Sequence, residues 1–411
     1  MTSAPTQQPA LSFDHTDPRL AGPEFWDAVA ELQQAGPLVW VDTAGGFWAA
    51  TSQETILAIA QDWQHFSSAQ GVGRERASFE QMPRILPLET DPPDQRAYRK
   101  QVNPHLAIKA LAGLDDPIRA IADELIDAFV DRGSCDIAVE FARRFPGTVF
   151  FRLIVHSTDE AFDKAERCAH VISFQNKDRA RLIEAVGDLR SWAAEEFAVR
   201  EGAPGHGDDD RGDIVDAIKR LGRLEGFDDG MFTDIDRLSG LQILVQGGIG
   251  TSASVLGSAM IALARDPELQ ERVRADPSLV PGFLEEVVRT QSPLPIVFRT
   301  ATDDVEVAGR RIAKGDKVCL IFGAAGRDPE VFAHPAEIDL ARPHCRHLSF
   351  GAGVHRCIGS NLARLQMRIA VEQLLSRLGP FRLADDGEIG YDAGMARGPA
   401  SIPLVFSPPE A

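Results

Sequence analysis

The chain has 411 residues, 44% hydrophobic and 25% charged, which fits a globular protein able to bury a large core and enclose a cofactor. Its formal net charge of −18 argues against a general nucleic-acid or anionic-membrane surface. Five scattered cysteines, an odd number, do not read as a disulfide framework and suit a reducing compartment such as the cytoplasm.

The opening MTSAPTQQPA lacks the basic and apolar regions of a signal peptide. Residues 1–12 are expected to form a flexible tail ahead of a single domain over 13–411. PLVWVDTAGGFWAATS (37–52) predicts two strands around a Gly-Gly turn. Asp116-Pro117 predicts a helix start, with Asp116 as cap and Pro117 in the first position. Ile118, Ile121, Leu125 and Phe129 then recur at helical spacing up to Gly133. GAPGHGDDDRGD (202–213) reads as an exposed loop before a helix that begins near Asp213. Its Arg-Gly-Asp triplet is better explained by that loop than by adhesion.

Leu238 to Ala264 is a run of 27 residues without a charge, long enough to span a bilayer. It also holds five glycines, two glutamines, a threonine and four serines, and no aromatic anchors. It therefore predicts a helix through the middle of a large soluble protein. VEVAGRRIAKGDKVCLIF (305–322) predicts a second hairpin, and SIPLVF (401–406) a late strand. The chain shows no internal repeat and no dividing linker. The expected fold class is mainly α with a small β-rich portion.

FGAGVHRCIG (350–359) puts one cysteine among glycines just before an amphipathic helix pattern, IGSNLARLQMRIAVEQLL. A thiolate is a soft ligand for iron. At a helix N-terminus the macrodipole favours it, and glycines let backbone N–H groups approach the sulfur. Phe350 can shield it from water. Between Leu340 and Val371 there is no acidic residue but five arginines, at 342, 346, 356, 364 and 368. A zinc cluster with Cys345, His344 and His347 lacks the paired Cys-x-x-Cys spacing. A dinucleotide loop on Gly351 and Gly353 lacks its third glycine, because Arg356 stands there. A buried free cysteine would leave the glycines and arginines unexplained.

FGAGVHRCIGSNLAR matches the haem-binding signature Phe-x-x-Gly-x-His/Arg-x-Cys-x-Gly of the cytochrome P450 family, and the chain resembles the soluble bacterial type to which the camphor hydroxylase belongs. Further segments match along most of the chain, in the family's order. The resemblance implies a long central helix over haem b, with Cys357 as the axial iron ligand and Phe350, Gly351 and Gly359 shaping its loop. EVVR (286–289) resembles the family's Glu-x-x-Arg pair, Glu286 and Arg289. AAGRDPEVF (324–332) and IDLARP (338–343) resemble two further segments, with Gly326 replacing the usual Asn. Arg299 stands where the family has a propionate-binding arginine. TDPPDQRAYRK (90–100) places Arg99 as the second, with Gln95 replacing the usual histidine; His355 would be a third donor.

QGGIGTS (246–252) resembles the oxygen-binding stretch. Gly247 and Gly248 would open space and loosen the helix ladder, and Thr251 would supply the hydroxyl. Thr251 can equally bond back to the carbonyl four residues earlier. Gly250 replaces the family's acid, so the usual proton route is missing. The pocket would be lined by the 71–86 loop, Ile243, Leu244, Gly247, Leu294, Ile296, Val297, Met395 and Ala396. These largely apolar residues suit a small terpenoid or aromatic substrate. Arg74, Arg76 or Arg84 could instead meet a carboxylate, although loop arginines are usually solvated.

The resemblance implies a haem-thiolate monooxygenase that inserts one atom of O2 into such a substrate. Electrons would come from a separate ferredoxin and ferredoxin reductase. A basic face of Arg96, Lys100, Arg346, Arg356, Arg364 and Arg368 would receive the acidic donor. No nucleic-acid or membrane partner is expected. A peroxide-driven peroxygenase and a non-catalytic haem-thiolate sensor would share the thiolate. Thr251 speaks against the peroxygenase and the missing acid at 250 for it, while the oxygen-site stretch argues against the sensor.

Overall fold

A computed structural model describes residues 11–43, 45–74, 84–174, 178–202, 212–221, 232–342, 345–385 and 387–407. The charge-free run forms the axis of the molecule, a helix over Asp234–Arg265 of 32 residues. Its start is fixed by a reciprocal box in which the Thr233 side chain accepts from the Asp236 amide and Asp236 accepts from the Thr233 amide. It packs against helices Phe145–Phe150, Asp159–Phe174, Val280–Gln291 and Ser360–Arg377 and against strand Arg397–Ser401. Among the described residues it is the one helix long and apolar enough to cross a membrane, and 67% of its most apolar window is buried inside the protein. The central-helix expectation therefore holds, and the apolar surface is used for packing.

A second, smaller core lies under a five-stranded sheet. Its strands run in the order Leu38–Val41, Phe47–Ala50, Lys317–Ile321, Ile296–Ala301 and Phe66–Ser67. The 37–52 hairpin forms as expected. The 305–322 stretch does not stay one hairpin. Val305–Val307 pairs with Arg310–Ile312, whereas Lys317–Ile321 leaves to pair in parallel with Phe47–Ala50 and antiparallel with Ile296–Ala301. Val318, Cys319, Leu320 and Ile321 are buried on both faces, which suits an interior strand and not an exposed hairpin arm. The late strand is Pro403–Phe406, paired with Ser134–Asp136 and Phe381–Leu383.

Several boundaries differ from expectation. The helix at 115 begins at Asp115 with Leu114 in the cap position, so Asp116 lies inside the first turn. It ends at Asp127, and Gly133, at φ 67°, closes a short turn beyond it. Asp213 does cap its helix, accepting from the Val215 and Asp216 amides, while Arg211 of the Arg-Gly-Asp triplet lies outside the described residues. Leu11 bridges Val41 and Ser12 meets Thr43, so the chain is tied down before the expected end of the tail at 12. Residues 1–10 lie outside the described residues.

Glu286 and Arg289 are buried, at 2% and 0% exposure, on the helix Val280–Gln291. Arg289 donates to both Glu286 oxygens at 2.8 Å and to the carbonyls of Gly326, Pro335 and Glu337 at 2.6–2.7 Å. Glu286 also accepts from the Asp339 amide at 3.0 Å and from Arg342 at 3.1 Å. Burial pulls its pKa up, but the Arg289 hydrogen bonds and the Asp339 amide outweigh that and hold it at about 2. Gly326 is explained by the same cluster. A Cβ there would lie 2.3 Å from the Arg289 carbonyl oxygen, so the backbone comes too close for the family's Asn.

Removing either partner strands the other charge in the core. Arg289→Ala and Glu286→Ala are each expected to lower stability by ~3–5 kcal/mol, read as a shift in the denaturant midpoint or loss of soluble protein. A loss below ~1 kcal/mol in both would contradict a buried, coupled pair.

Candidate functional site

The cysteine loop is shaped by backbone contacts. The Cys357 amide donates to the Phe350 carbonyl at 2.7 Å, and the Gly351 amide to Leu348 at 2.7 Å. Gly351 and Gly353 have φ of 70° and 66°. A Cβ at Gly353 would sit 2.2 Å from the Ala60 carbonyl oxygen, so the loop can rest on the helix Gln53–Gln61 only with glycine there. The following helix is Ser360–Arg377, with Gly359 in the cap position. Cys357 therefore precedes the first helical turn. Phe350 lies against the helical core with the Arg364 guanidinium 4.3 Å over its ring.

Cys357 has accessible surface, yet protein surrounds it closely enough that its pKa is set by burial. Burial pushes the thiol up. The Gly359 amide, Arg99, Arg356 and Arg364 pull it down without overcoming that push. A coordinated metal ion would add the charge that favours the thiolate.

Arg99, Arg299 and His355 gather around this loop. Arg299 is 4% exposed and donates to the carbonyl of Phe298 at 2.8 Å. No ion pair joins it to a carboxylate among the described residues. Burial lowers its pKa to about 10, with only Asp91 acting the other way. The Asp91 oxygens are engaged by Ser67 and Ser68. Arg99 donates to the carbonyls of Val354 at 2.8 Å and Arg356 at 2.5 Å, and Gln95 also donates to Val354. Gln95 therefore holds the loop backbone. His355 Nε2 lies 2.9 Å from Ser68 Oγ. Burial, followed by Arg299, lowers its pKa to about 3, so the imidazole is neutral at pH 7.

On the central helix, Gly247 is exposed and Ile243, Gly248 and Thr251 are half-buried, in the middle of an otherwise buried element. Ile243, Gly247 and Thr251 fall on one face at a spacing of four. A Cβ at Gly247 would meet nothing within 4 Å. The helix runs unbroken through both glycines, so the expected loosening of the ladder is not seen. Thr251 Oγ1 donates to the Gly247 carbonyl at 2.7 Å.

A neighbouring stripe of the same helix, Ser239, Gln242 and Gln246, lines a cavity of ≈ 200 Å³. Of the expected pocket residues, Ile296, Met395 and, from the 71–86 loop, Gly71, Val72, Gly73 and Ile85 line it, while Ile243, Leu244, Gly247, Leu294, Val297 and Ala396 do not. Ile296 and Phe298 share one face of their strand, and alternation turns Val297 to the other. Arg84 pairs with Asp236 at 2.8 Å and Asp94 at 2.9 Å, so it is committed elsewhere. Arg76 lies outside the described residues. Arg190 and Arg397 also line the cavity, and neither was singled out from sequence. Arg397 adjoins the Met395-Ala396 turn, a charge beside an apolar pocket segment that could have flagged it.

The basic face is smaller than expected. Arg364 forms two hydrogen bonds to Glu285, and Arg368 pairs with Glu372 and Asp115. Arg96, Lys100, Arg346 and Arg356 are exposed.

Gly250 faces away from this cavity, and a Cβ there would meet the Phe174 ring at 2.9 Å. Gly250→Asp is therefore expected to destabilise the protein by ~1–3 kcal/mol through overpacking, and Phe174→Ala in the same chain to recover much of the loss. Unchanged thermal stability of Gly250→Asp would contradict this close approach.

A family model described as Cytochrome P450 matches residues 212–384. Cytochrome p450 CYP199A2 of Rhodopseudomonas palustris is 30% identical over 383 residues, covering 92% of this chain and 90% of that protein. Cytochrome P450-SU2 of Streptomyces griseolus is 32% identical over 382 residues, 87% of each chain. The crystal structure of CYP101J2 superposes with a TM-score of 0.83 at 26% identity, over 99% of this chain and 100% of that one. Likeness at this level over nearly the full length of both proteins places the chain in the cytochrome P450 family: it is a monooxygenase whose cofactor is haem b.

Proposed function

We propose that Cys357 is the axial ligand of the haem iron, that Arg99, Arg299 and His355 receive the two propionates, and that the enzyme oxidises a small, mainly hydrophobic terpenoid or aromatic substrate with electrons from a separate ferredoxin. The observation that carries the reading is the convergence of these groups. Arg99 acts electrostatically on Cys357, and Arg99 and Arg299 both act on His355. A thiol beside Arg99, with His355 linking Arg99 to the buried Arg299 and no salt bridge holding either guanidinium among the described residues, is a donor set that fits haem b. Soft sulfur suits the iron, and forked N–H groups suit the propionates.

When bound, haem b supplies the activation of O2 for transfer of one oxygen atom to a C–H bond. The chain does the rest. The Cys357 loop fixes the sulfur through the Phe350 carbonyl and the left-handed glycines. Gln95 and Arg99 brace the loop from the helix Asp94–Val102. The Thr251 hydroxyl, at an open point of a buried helix, can release the Gly247 carbonyl and hold or pass a proton at Oγ1. With Gly250 in place of an acid, the proton reaches Thr251 by water. The donor docks on Arg96, Lys100, Arg346 and Arg356, in the cytoplasm.

Cys357→His is expected to abolish the absorption that names the family in the reduced carbon monoxide adduct. Retention of that band would remove Cys357 from the iron. Arg356→Glu is expected to slow reduction by ferredoxin several-fold, and rising salt to slow the wild type, since exposed charges are screened. Reduction indifferent to salt and to the substitution would move the docking face elsewhere. Turnover with hydrogen peroxide alone, faster than with ferredoxin, would favour the peroxygenase.

A further inference from the structure

The cavity beside the central helix is walled by apolar side chains such as Ile172, Leu182, Val186, Ile296 and Met395. Inside it are two guanidiniums without a salt-bridge partner among the described residues. Arg397, at the start of the strand Arg397–Ser401, is 8% exposed, and its two terminal nitrogens are buried without a hydrogen-bond partner. Its backbone N–H donates a hydrogen bond to the Pro293 carbonyl at 2.9 Å, and its guanidinium lies 4.0 Å over the Phe25 ring. Arg190, on the helix Arg179–Gly202, has a buried Nε that is likewise without a partner. Neither forms an ion pair with a carboxylate among the described residues. Burial alone lowers both pKa values, that of Arg397 to about 10, so it remains charged at pH 7.

The other polar groups of the cavity do not pair with these guanidiniums. The carboxylate of Glu89 accepts from the amides of Val72 at 3.4 Å and Ile85 at 3.1 Å and forms no salt bridge with Arg190 or Arg397. His15 has a buried, unpartnered Nδ1, and burial lowers its pKa to about 4, so it is neutral. Gln242 has an unpartnered buried oxygen, and its amide can turn to donate. A buried cation without a counter-charge is strongly unfavourable unless a ligand supplies one. A planar fork pairs best with a carboxylate. A cationic ligand would meet like charges, and a neutral one would leave both guanidiniums unpaired.

We propose that the substrate is a small aromatic or terpenoid acid whose carboxylate is received by Arg397, with Arg190 as a second cation in the same cavity and the apolar walls enclosing its hydrocarbon body. The assignment rests on the monooxygenase reading for what happens to the ligand, but binding itself is separate from turnover. Of the loop arginines, Arg84 is held by Asp236 and Asp94. Arg397 and Arg190 would be specificity-determining residues.

The test is calorimetric titration of the haem-loaded enzyme with benzoate, 4-isopropylbenzoate and 2-naphthoate, each beside its carboxamide. At least one acid is expected to bind tenfold or more tightly than its amide. Arg397→Gln should remove that preference, and Arg190→Gln should reduce it. Arg397→Lys, which keeps the charge and loses the fork, should fall between wild type and Arg397→Gln. Haem content and the reduced carbon monoxide spectrum, recorded on every variant, check folding and the haem-thiolate reading independently of ligand preference. The proposal is overturned if no acid of the panel binds below about 1 mM, if the amides bind as well as the acids, or if the acid preference survives both Gln substitutions.

Discussion

Two consecutive carboxylates on one helix, the buried Glu286 and the half-buried Glu285, tie the irregular chain around Cys357 to the core. Glu286 gathers Arg289, Arg342 and the Asp339 amide, and through Arg289 the carbonyls of Gly326, Pro335 and Glu337. Glu285 gathers His347 from the approach to the cysteine loop and Arg364 from the helix beyond it. One turn of helix thus fixes the irregular chain over 326–342 on one side and both flanks of Cys357 on the other. Irregular backbone of this length has few internal hydrogen bonds, so its geometry depends on such buried charges. Burial raises the Glu285 pKa, but His347 and Arg364 outweigh it and hold it at about 2, so the anchor stays charged at neutral pH.

The second constraint is the central helix. Its apolar residues make it the partner of several other helices, while Gly247 and Thr251 keep one open point along its length. Small residues serve here by what they leave empty. The positions 250 and 326 are different cases: each departs from the family pattern, and at each a neighbour, Phe174 or the Arg289 carbonyl, takes the space a side chain would need. At both positions the packing as it stands leaves no room for a side chain.

Much of this was legible in the sequence where chemistry demands fixed spacing. The central helix follows from its charge-free run and the helix-rich architecture with a small β portion from periodicity, whereas the buried Glu286–Arg289 pair was legible only through resemblance to the family, since its spacing alone fits an exposed pair. What was not legible depends on burial. Arg364 and Arg368 look like free surface charge in an arginine-rich run, but Glu285, Glu372 and Asp115 come from elsewhere in the chain to pair with them. Arg190 sits in a helix full of charged residues, and Arg397 in a short hairpin, so nothing local marks them as interior cations. Gln95 reads as a propionate donor, and only the fold shows that it faces the Val354 carbonyl. Lys317–Ile321 reads as a hairpin arm because its parallel partner, Phe47–Ala50, lies far away in sequence.

The account stands on Cys357 reaching the iron from a loop that these buried charges hold in place. X-ray absorption at the iron edge of the resting, haem-loaded protein measures that contact directly. The account predicts one sulfur scatterer beside the porphyrin nitrogens, lost in Cys357→Ala. Coordination by nitrogen and oxygen alone in the wild type, or a sulfur that persists in Cys357→Ala, would contradict it.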